Sequence, residues 1–328
     1  MKLAIAGTGS CVPESKLTNQ DLEKLVDTND DWIQSRTGII ERGATGPEVA
    51  TSDLAVVAAR NALEMAGVGV DEIDLIVLCT VSPDTLTPAA STLVHRELRI
   101  ARTIPCFDLN AACSGFVYGL EVVSSLMQAR GYARVLMIGA ETLTKFTDYE
   151  DRDTCVLFGD AAGAIVLEAR EGEGGLCATV LRSDGNFADL ISIPGGGSRH
   201  PPSPYVLAQR MPFIRMNGRQ VFKIAVQAME QVARDTLEQA GWALNEVDHV
   251  FVHQANRRII NAVTERLGLS PEQVPTNIER TGNTSAASIP VLLDECNRAG
   301  RLSAGDKLLC VAFGAGLTWG GAALEWSD

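Results

Sequence analysis

The sequence predicts a layered α/β protein in which one structural unit is used twice. Short, wholly apolar runs alternate with segments of helical period: Leu75-Ile76-Val77-Leu78, Val135-Leu136-Met137-Ile138-Gly139, Val250-Phe251-Val252 and Leu308-Leu309-Cys310-Val311-Ala312. Strands without a polar face must be covered on both sides, which places helices above and below each sheet. The chain also repeats itself. Leu63-Glu64-Met65-Ala66-Gly67 reads beside Leu237-Glu238-Gln239-Ala240-Gly241, and the register runs on through Glu72-Ile73-Asp74 beside Glu246-Val247-Asp248. A looser match sets Gly163-Ala164-Ile165-Val166-Leu167-Glu168 beside Gly320-Gly321-Ala322-Ala323-Leu324-Glu325.

Each element follows from its pattern. Met1 to Gly7 is a short apolar run ending at glycine, a first buried strand without the length or cleavage site of a signal peptide. Amphipathic stretches at 53–67, 114–130, 221–241 and 288–299 precede the four apolar runs and read as helices. Glu171-Gly172-Glu173-Gly174-Gly175 is a polar, glycine-rich join, dividing the chain into halves at 1–173 and 174–328. The run Pro194 to Pro204 breaks the pattern and reads as a loop excursion.

Composition narrows the function. With 46% apolar and 21% charged residues, the 328-residue chain can bury a large core, and no apolar run reaches the ~18 residues of a membrane span. A net charge of −13 argues against nucleic acid and anionic membrane as partners and requires any anion site to be locally basic. The eight cysteines are scattered, without a C-x-x-C pair or metal-ligand spacing, as expected of reduced thiols in a cytoplasmic protein. No metal or redox cofactor is expected; Gly7-Thr8-Gly9-Ser10 lacks the rest of a dinucleotide fingerprint.

Three residues stand out chemically. Cys113, in Asn110-Ala111-Ala112-Cys113-Ser114-Gly115, precedes helix-spaced Phe116, Val117, Leu120, Val123 and Met127. A helix N-terminus there offers a backbone donor to an oxyanion and favours a thiolate. His253 ends an apolar strand, on the side where α/β sites lie. His249 starts that strand, and His95 and His200 read as surface residues. Asn283 lies in Thr281-Gly282-Asn283-Thr284-Ser285-Ala286, the small-residue turn that faces the Cys113 turn in the repeat. Taken singly, each has a plainer reading: a buried cysteine, a structural histidine, a turn asparagine.

Together these segments resemble the β-ketoacyl-acyl-carrier-protein synthase III family of the thiolase-like superfamily. The resemblance also covers Asp31-Trp32-Ile33, Arg36-Thr37-Gly38-Ile39, Gly159 to Ala164, His253-Gln254-Ala255-Asn256 and Phe313-Gly314-Ala315-Gly316-Leu317-Thr318-Trp319-Gly320. It implies a duplicated α-β-α-β-α fold with two mixed five-stranded sheets about a pseudo-two-fold axis. It further implies a Cys113–His253–Asn283 site and an oxyanion hole from the N–H groups of Cys113 and Ala315. The expected reaction is condensation of an acyl-CoA with malonyl-acyl-carrier protein through an acyl-cysteine, by a homodimer, with CoA as substrate rather than cofactor. Matching positions give CoA contacts at Thr28, Trp32, Arg36, Arg152, Met216, Gly218, Phe222 and Asn256. Lys223 and Arg258 match the family's carrier-docking patch, to which Gln254 and, on the helix after His253, Arg257 and Arg266 are added; Thr87 and Phe313 are assigned to the acyl pocket. Two positions depart from the family pattern. Thr87 stands where members that prefer short primers often have phenylalanine, and Arg219 where some have a smaller polar residue. The competing readings are a condensing or acyl-transfer enzyme of secondary metabolism and a silent carrier-binding subunit.

Overall fold

The computed structural model describes residues 2–171 and 174–327. Nine strands form the two main sheets. The first sheet contains β1 (Lys2–Cys11), β2 (Leu75–Cys79), β3 (Cys106–Leu109), β4 (Arg134–Thr142) and β5 (Asp160–Arg170), in the order β1-β5-β4-β2-β3. The second contains β6 (Gly175–Ser183), β7 (His249–Val252), β8 (Lys307–Gly314) and β9 (Thr318–Glu325), in the order β7-β8-β9-β6. β2 runs parallel to β3 and β4, and β7 parallel to β8; the remaining ladders are antiparallel. The orders superimpose strand for strand, so the sequence repeat is a structural one. The join of the halves, at 172–173, lies outside the described residues.

The second sheet has four strands among the described residues where five were expected. Among the described residues no strand pairs with the outer edge of β7 as β3 pairs with β2. Instead the Gln254 carboxamide takes the N–H of Asn277 at 3.2 Å, and Gln273 donates to the Val247 carbonyl at 2.8 Å. Gln254 Nε2 also donates to the Val252 carbonyl at the end of β7, at 2.7 Å.

Six helices set the layers: α1 (Asp30–Thr37), α2 (Thr51–Ala66), α3 (Gly115–Arg130), α4 (Gly218–Ala240), α5 (Arg257–Leu267) and α6 (Ser288–Arg298). α2 covers the outer face of the first sheet, α3 and α6 lie between the sheets, and α4 with α5 covers the second. The helices that close the repeat, α2 and α4, both end at a glycine in the left-handed region, Gly67 (φ 63°) and Gly241 (φ 72°), where a side chain would be strained. Between the sheets Phe116, Val117, Leu120, Val123 and Met127 of α3 meet Ile289, Leu292 and Leu293 of α6, all buried. Burying each such side chain contributes roughly 1.5–3 kcal/mol. The excursion at 194–204 folds back on itself, with Gly195 donating to Met211 and Gly196 to His200. No helix among the described residues is long and apolar enough to cross a membrane.

α6 lies against the first sheet with no room to spare. A Cβ on Gly163 of β5 would stand 2.5 Å from the Val291 nitrogen and 2.7 Å from the Pro290 carbonyl carbon. Gly163→Ala is expected to cost about 1–3 kcal/mol by overpacking. Urea unfolding reads this as a lowered midpoint; an unchanged midpoint would mean that α6 can retreat.

Candidate active site

Three segments from the two halves meet at one cavity. In the first, Asn110 Oδ1 accepts the Ala112 N–H at 3.2 Å, Ala112 adopts φ 48°, and the single turn Ala112–Ser114 presents Cys113 ahead of α3. A non-glycine residue held at positive φ costs on the order of 1–3 kcal/mol, so the surrounding packing must enforce it. The second segment repeats this design. Asn283 Oδ1 accepts the Ser285 N–H at 2.9 Å, Ser285 has φ 48°, and the turn Ser285–Ala287 precedes α6. Asn110 is thus the counterpart of Asn283, and Cys113 that of Ala286. The third segment is the turn from β8 to β9. A Cβ on Gly314 would lie 2.6 Å from the Cys113 nitrogen, so only glycine brings this strand end to the nucleophile. Thr318 Oγ1 donates to the Ala111 carbonyl at 3.0 Å, and Ser114 Oγ donates to the Thr318 carbonyl at 2.9 Å, locking the two turns together.

Cys113, His253 and Asn283 line one cavity of about 470 Å³. His253 Nδ1 lies 2.7 Å from Ser288 Oγ and its backbone N–H bonds the Val311 carbonyl, which leaves Nε2 for the cavity. Asn283 spends its oxygen on Ser285, which leaves its NH₂ for the cavity. No oxygen among the described residues takes the N–H of Cys113 or of Ala315, one residue past Gly314. A thiol and two side-chain nitrogens around one space, with the Cys113 N–H free beside them, suit attack on a thioester carbonyl and stabilisation of the oxyanion.

The nucleophile and the histidine are both uncharged near neutral pH. Burial pushes the Cys113 thiol up to about 12, outweighing the lowering by the Ser285 hydroxyl and the residue's own N–H. Burial also holds the His253 imidazole down to about 3. The helix N-terminus was expected to favour a thiolate, but its effect, at most ~2 kcal/mol, is smaller than the desolvation of a buried charge.

The cavity is also lined by Trp32, Arg36, Met216, Gly218, Phe222, Asn256 and Phe313. The Arg152 guanidinium lies 4.0 Å over the Trp32 ring. Asn256 caps α5 through the Arg258 N–H and donates to the Arg36 carbonyl at 3.1 Å, tying α5 to α1. Arg219 lines the mouth. Thr28 stands outside the lining, half-buried, with its hydroxyl oxygen buried and unpartnered.

Several expectations need correction. Thr87 is exposed and does not line this cavity; its loop is pinned over the start of α2, where Asp84 accepts from Ser52 N–H and Oγ. Gln254 is fully buried with both ends of its amide in use, so it offers nothing to a docking partner. Arg257 is neutralised by Glu279 at 2.6 Å and Arg266 by Glu230 at 2.9 Å. Arg258 and Lys223 are exposed and carry no ion pair among the described residues. His95 and His200 are half-buried rather than superficial. Sequence reasoning missed Ser288, Ser285 and Glu141. The two serines sit inside a segment already singled out, and a lone acid after a buried strand was a readable signal.

A cysteine, a histidine and an asparagine converging on a tunnel between two copies of one α/β unit define a thiolase-like acyl-transfer enzyme. Comparison with known proteins specifies it further. Residues 107–185 match the family model for 3-oxoacyl-[acyl-carrier-protein] synthase III, and residues 237–326 match its C-terminal model. The β-ketoacyl-[acyl-carrier-protein] synthase III of Desulfitobacterium hafniense DCB-2 is 47% identical over 100% of this chain and 98% of its own. That of Chlorobaculum tepidum is 45% identical over 99% of this chain and 100% of its own. The crystal structure of 3-oxoacyl-[acyl-carrier-protein] synthase III from Aquifex aeolicus VF5 superposes with a TM-score of 0.92 at 43% identity, covering 99% of this chain and 100% of that one. The chain belongs to the β-ketoacyl-acyl-carrier-protein synthase III family of condensing acyltransferases.

His253 couples the site to acid stability. Its pKa in the folded chain lies below the ordinary histidine value, so the unfolded chain binds the extra proton as pH falls below about 6.5. Stability therefore declines on acidification, by up to about 1.4 kcal/mol per pH unit for one proton. Glu141, whose buried carboxyl is pushed up to about 7, acts oppositely in this window, because the native state holds its proton. The His253 part is isolated as the difference between wild type and His253→Asn in urea unfolding from pH 6 to pH 4. The variant should lose less stability than wild type; parallel curves would mean that His253 charges in the folded chain.

Proposed function

We propose that the chain is an initiating β-ketoacyl-acyl-carrier-protein synthase of fatty acid synthesis, joining an acyl-CoA primer to malonyl-acyl-carrier protein. The observation that carries this reading is the convergence of Cys113, His253 and Asn283, with their free nitrogens, on a single tunnel. Cys113 attacks the acyl-CoA thioester, and the N–H groups of Cys113 and Ala315 hold the oxyanion while CoA departs. Malonyl-acyl-carrier protein then enters. His253 Nε2 and Asn283 Nδ2 hydrogen-bond its thioester carbonyl as carbon dioxide leaves and charge builds on that oxygen. The carbanion attacks acyl-Cys113 and releases the β-ketoacyl carrier. Asparagine suits this position because it donates without titrating. The chemistry needs no cofactor.

The mouth supports the same reading. Trp32 with Arg152 over its face offers an aromatic and guanidinium surface for an adenine, beside Arg36 for phosphate. Lys223 and Arg258, free of acid partners, are the docking cations for an acidic carrier in the cytoplasm. Arg257 and Arg266 contribute less, since each already has a carboxylate. The proposed homodimer pairs β3 with its copy. β3 is the outermost strand of its sheet and only half-buried, and the neighbouring loop leaves Leu86 85% exposed. Thr87 reaches an acyl pocket only in such a pair, that of the other copy, and its small side chain leaves room there for longer or branched primers.

A second reading, a primer of secondary metabolism, draws on the priming β-ketosynthase of the R1128 polyketide pathway. That structure superposes with a TM-score of 0.93 at 34% identity. An acyl-CoA panel from acetyl to dodecanoyl, followed by intact-protein mass and product analysis, tests the chemistry that both readings share. A single adduct lost in Cys113→Ser, with a β-ketoacyl carrier product, is expected; no adduct overturns the nucleophile, and acylation without condensation overturns the synthase. Asn283→Ala should slow decarboxylation by about 10²–10³ while leaving acylation intact. Lys223→Glu should raise the KM for malonyl-acyl-carrier protein without changing acylation by acyl-CoA, as steady-state kinetics with each substrate varied will show.

A further inference from the structure

Ser288 is the first residue of α6, and its hydroxyl oxygen stands between two groups of the His253 segment. It lies 2.7 Å from His253 Nδ1 and accepts the Gln254 N–H at 3.4 Å. All three residues are buried, so none of these polar groups can turn to bulk water instead. Among the described residues Ser288 Oγ has no other hydrogen-bond partner, and the Gln254 N–H has no other acceptor.

This closed set admits one satisfied arrangement. If Nδ1 carried the ring proton, Ser288 Oγ would accept from both the ring and Gln254, and its own O–H would be left without an acceptor. If the hydroxyl donates to Nδ1, the O–H, the Gln254 N–H and the ring nitrogen are all satisfied. The bare nitrogen is then Nδ1, and the ring proton sits on Nε2. Burial keeps the imidazole neutral near neutral pH, so the choice is between these two tautomers.

The repeat supplies a comparison inside the same chain. By its register Cys79 is the counterpart of His253, Thr80 of Gln254 and Gly115 of Ser288. A Cβ on Gly115 would stand 3.2 Å from the Cys79 Cβ, so the same two positions meet in both halves. The Thr80 N–H goes to the Leu109 carbonyl of β3 at 3.1 Å, a partner that the edge of β7 lacks. The half without the histidine begins its helix with glycine, and the half with it begins with a hydroxyl. The packing of the helix therefore does not call for the serine; the histidine does.

We propose that Ser288 is the positioning residue that sets the tautomer of His253, its hydroxyl donating to Nδ1 so that Nε2 keeps the ring proton. His253 thereby presents a donor to the cavity beside the Asn283 NH₂, and a thioester carbonyl that gains charge as carbon dioxide leaves can take both. In this tautomer Nε2 offers no lone pair to a thiol in the cavity, so acylation of Cys113 does not draw on Ser288. Loss of the hydroxyl should affect the two half-reactions unequally.

This inference rests on the decarboxylating role given to His253 above, and the test reads the tautomer apart from catalysis. The chain has four histidines, so protein with isotope-labelled ring nitrogens gives four sets of long-range proton–nitrogen correlations. The His253 set is the one missing from His253→Asn, and protonated and bare ring nitrogens resonate far apart. Near neutral pH wild type should show Nε2 protonated and Nδ1 bare. Ser288→Ala should show both tautomers. It should decarboxylate malonyl-acyl-carrier protein on the order of 10-fold more slowly, the usual cost of removing a group that orients another, while acyl-CoA labels Cys113 close to the wild-type rate. Alanine is a better helix former than serine, so α6 should tolerate the change. Nδ1 protonated in wild type overturns the proposal. So does a Ser288→Ala protein that keeps Nε2 alone protonated, decarboxylates at full speed, or loses both half-reactions equally. If Ser288→Ala does not fold, the wild-type spectrum decides. A wild type with Nε2 protonated that neither acylates nor decarboxylates overturns the synthase reading and leaves the tautomer standing.

Discussion

The centre of the molecule depends on two turns being small enough to pack against each other across the pseudo-two-fold axis. A Cβ on Gly115 would already lie 3.2 Å from the Ala286 and Cys79 Cβ atoms, and one on Gly139 would lie 2.4 Å from the Ala286 carbonyl oxygen. This contact leaves α3 and α6 side by side between the sheets and fixes where Cys113 emerges. It also explains the paired positive φ angles at Ala112 and Ser285: each turn is bent so that its helix can start beside the other. Rigid packing of this kind holds a nucleophile in a conformation that the local chain disfavours.

Burial then sets the character of the site. It leaves the Cys113 thiol and the His253 imidazole uncharged near neutral pH. In the proposed reaction, charge develops on the acyl oxygen or on the malonyl thioester. Free N–H groups aimed at such oxygens act far more strongly inside a dry cavity than in water. The same dryness makes a thiolate costly.

Much of this was readable from residue order. Apolar runs gave the strands and helical period the helices, because a buried sheet leaves no polar face to blur the pattern. The repeat of Leu63–Gly67 in Leu237–Gly241 marked two halves that share strand order. Trp32 and Asn256 were placed by resemblance, and both line the cavity. What could not be read depended on neighbours distant in sequence. Gln254 looked like an exposed residue beside arginines, and only the gap beside β7 shows why it is buried. Arg257 and Arg266 looked like a basic patch until Glu279 and Glu230 were brought opposite them. The neutrality of Cys113 depends on a depth of burial that no local motif encodes.

The missing fifth strand breaks the internal symmetry at the one edge where it matters for assembly. A duplicated fold with two equal outer strands could add a copy at each and grow into a filament. Here the edge beyond β7 is closed by the Gln254 amide, while its counterpart carries β3. Among the described residues, the β3 edge of this matched pair ends in a strand and the β7 edge in side-chain contacts. In the proposed homodimer two copies meeting at the β3 edge would satisfy each other, and growth would stop at a closed pair.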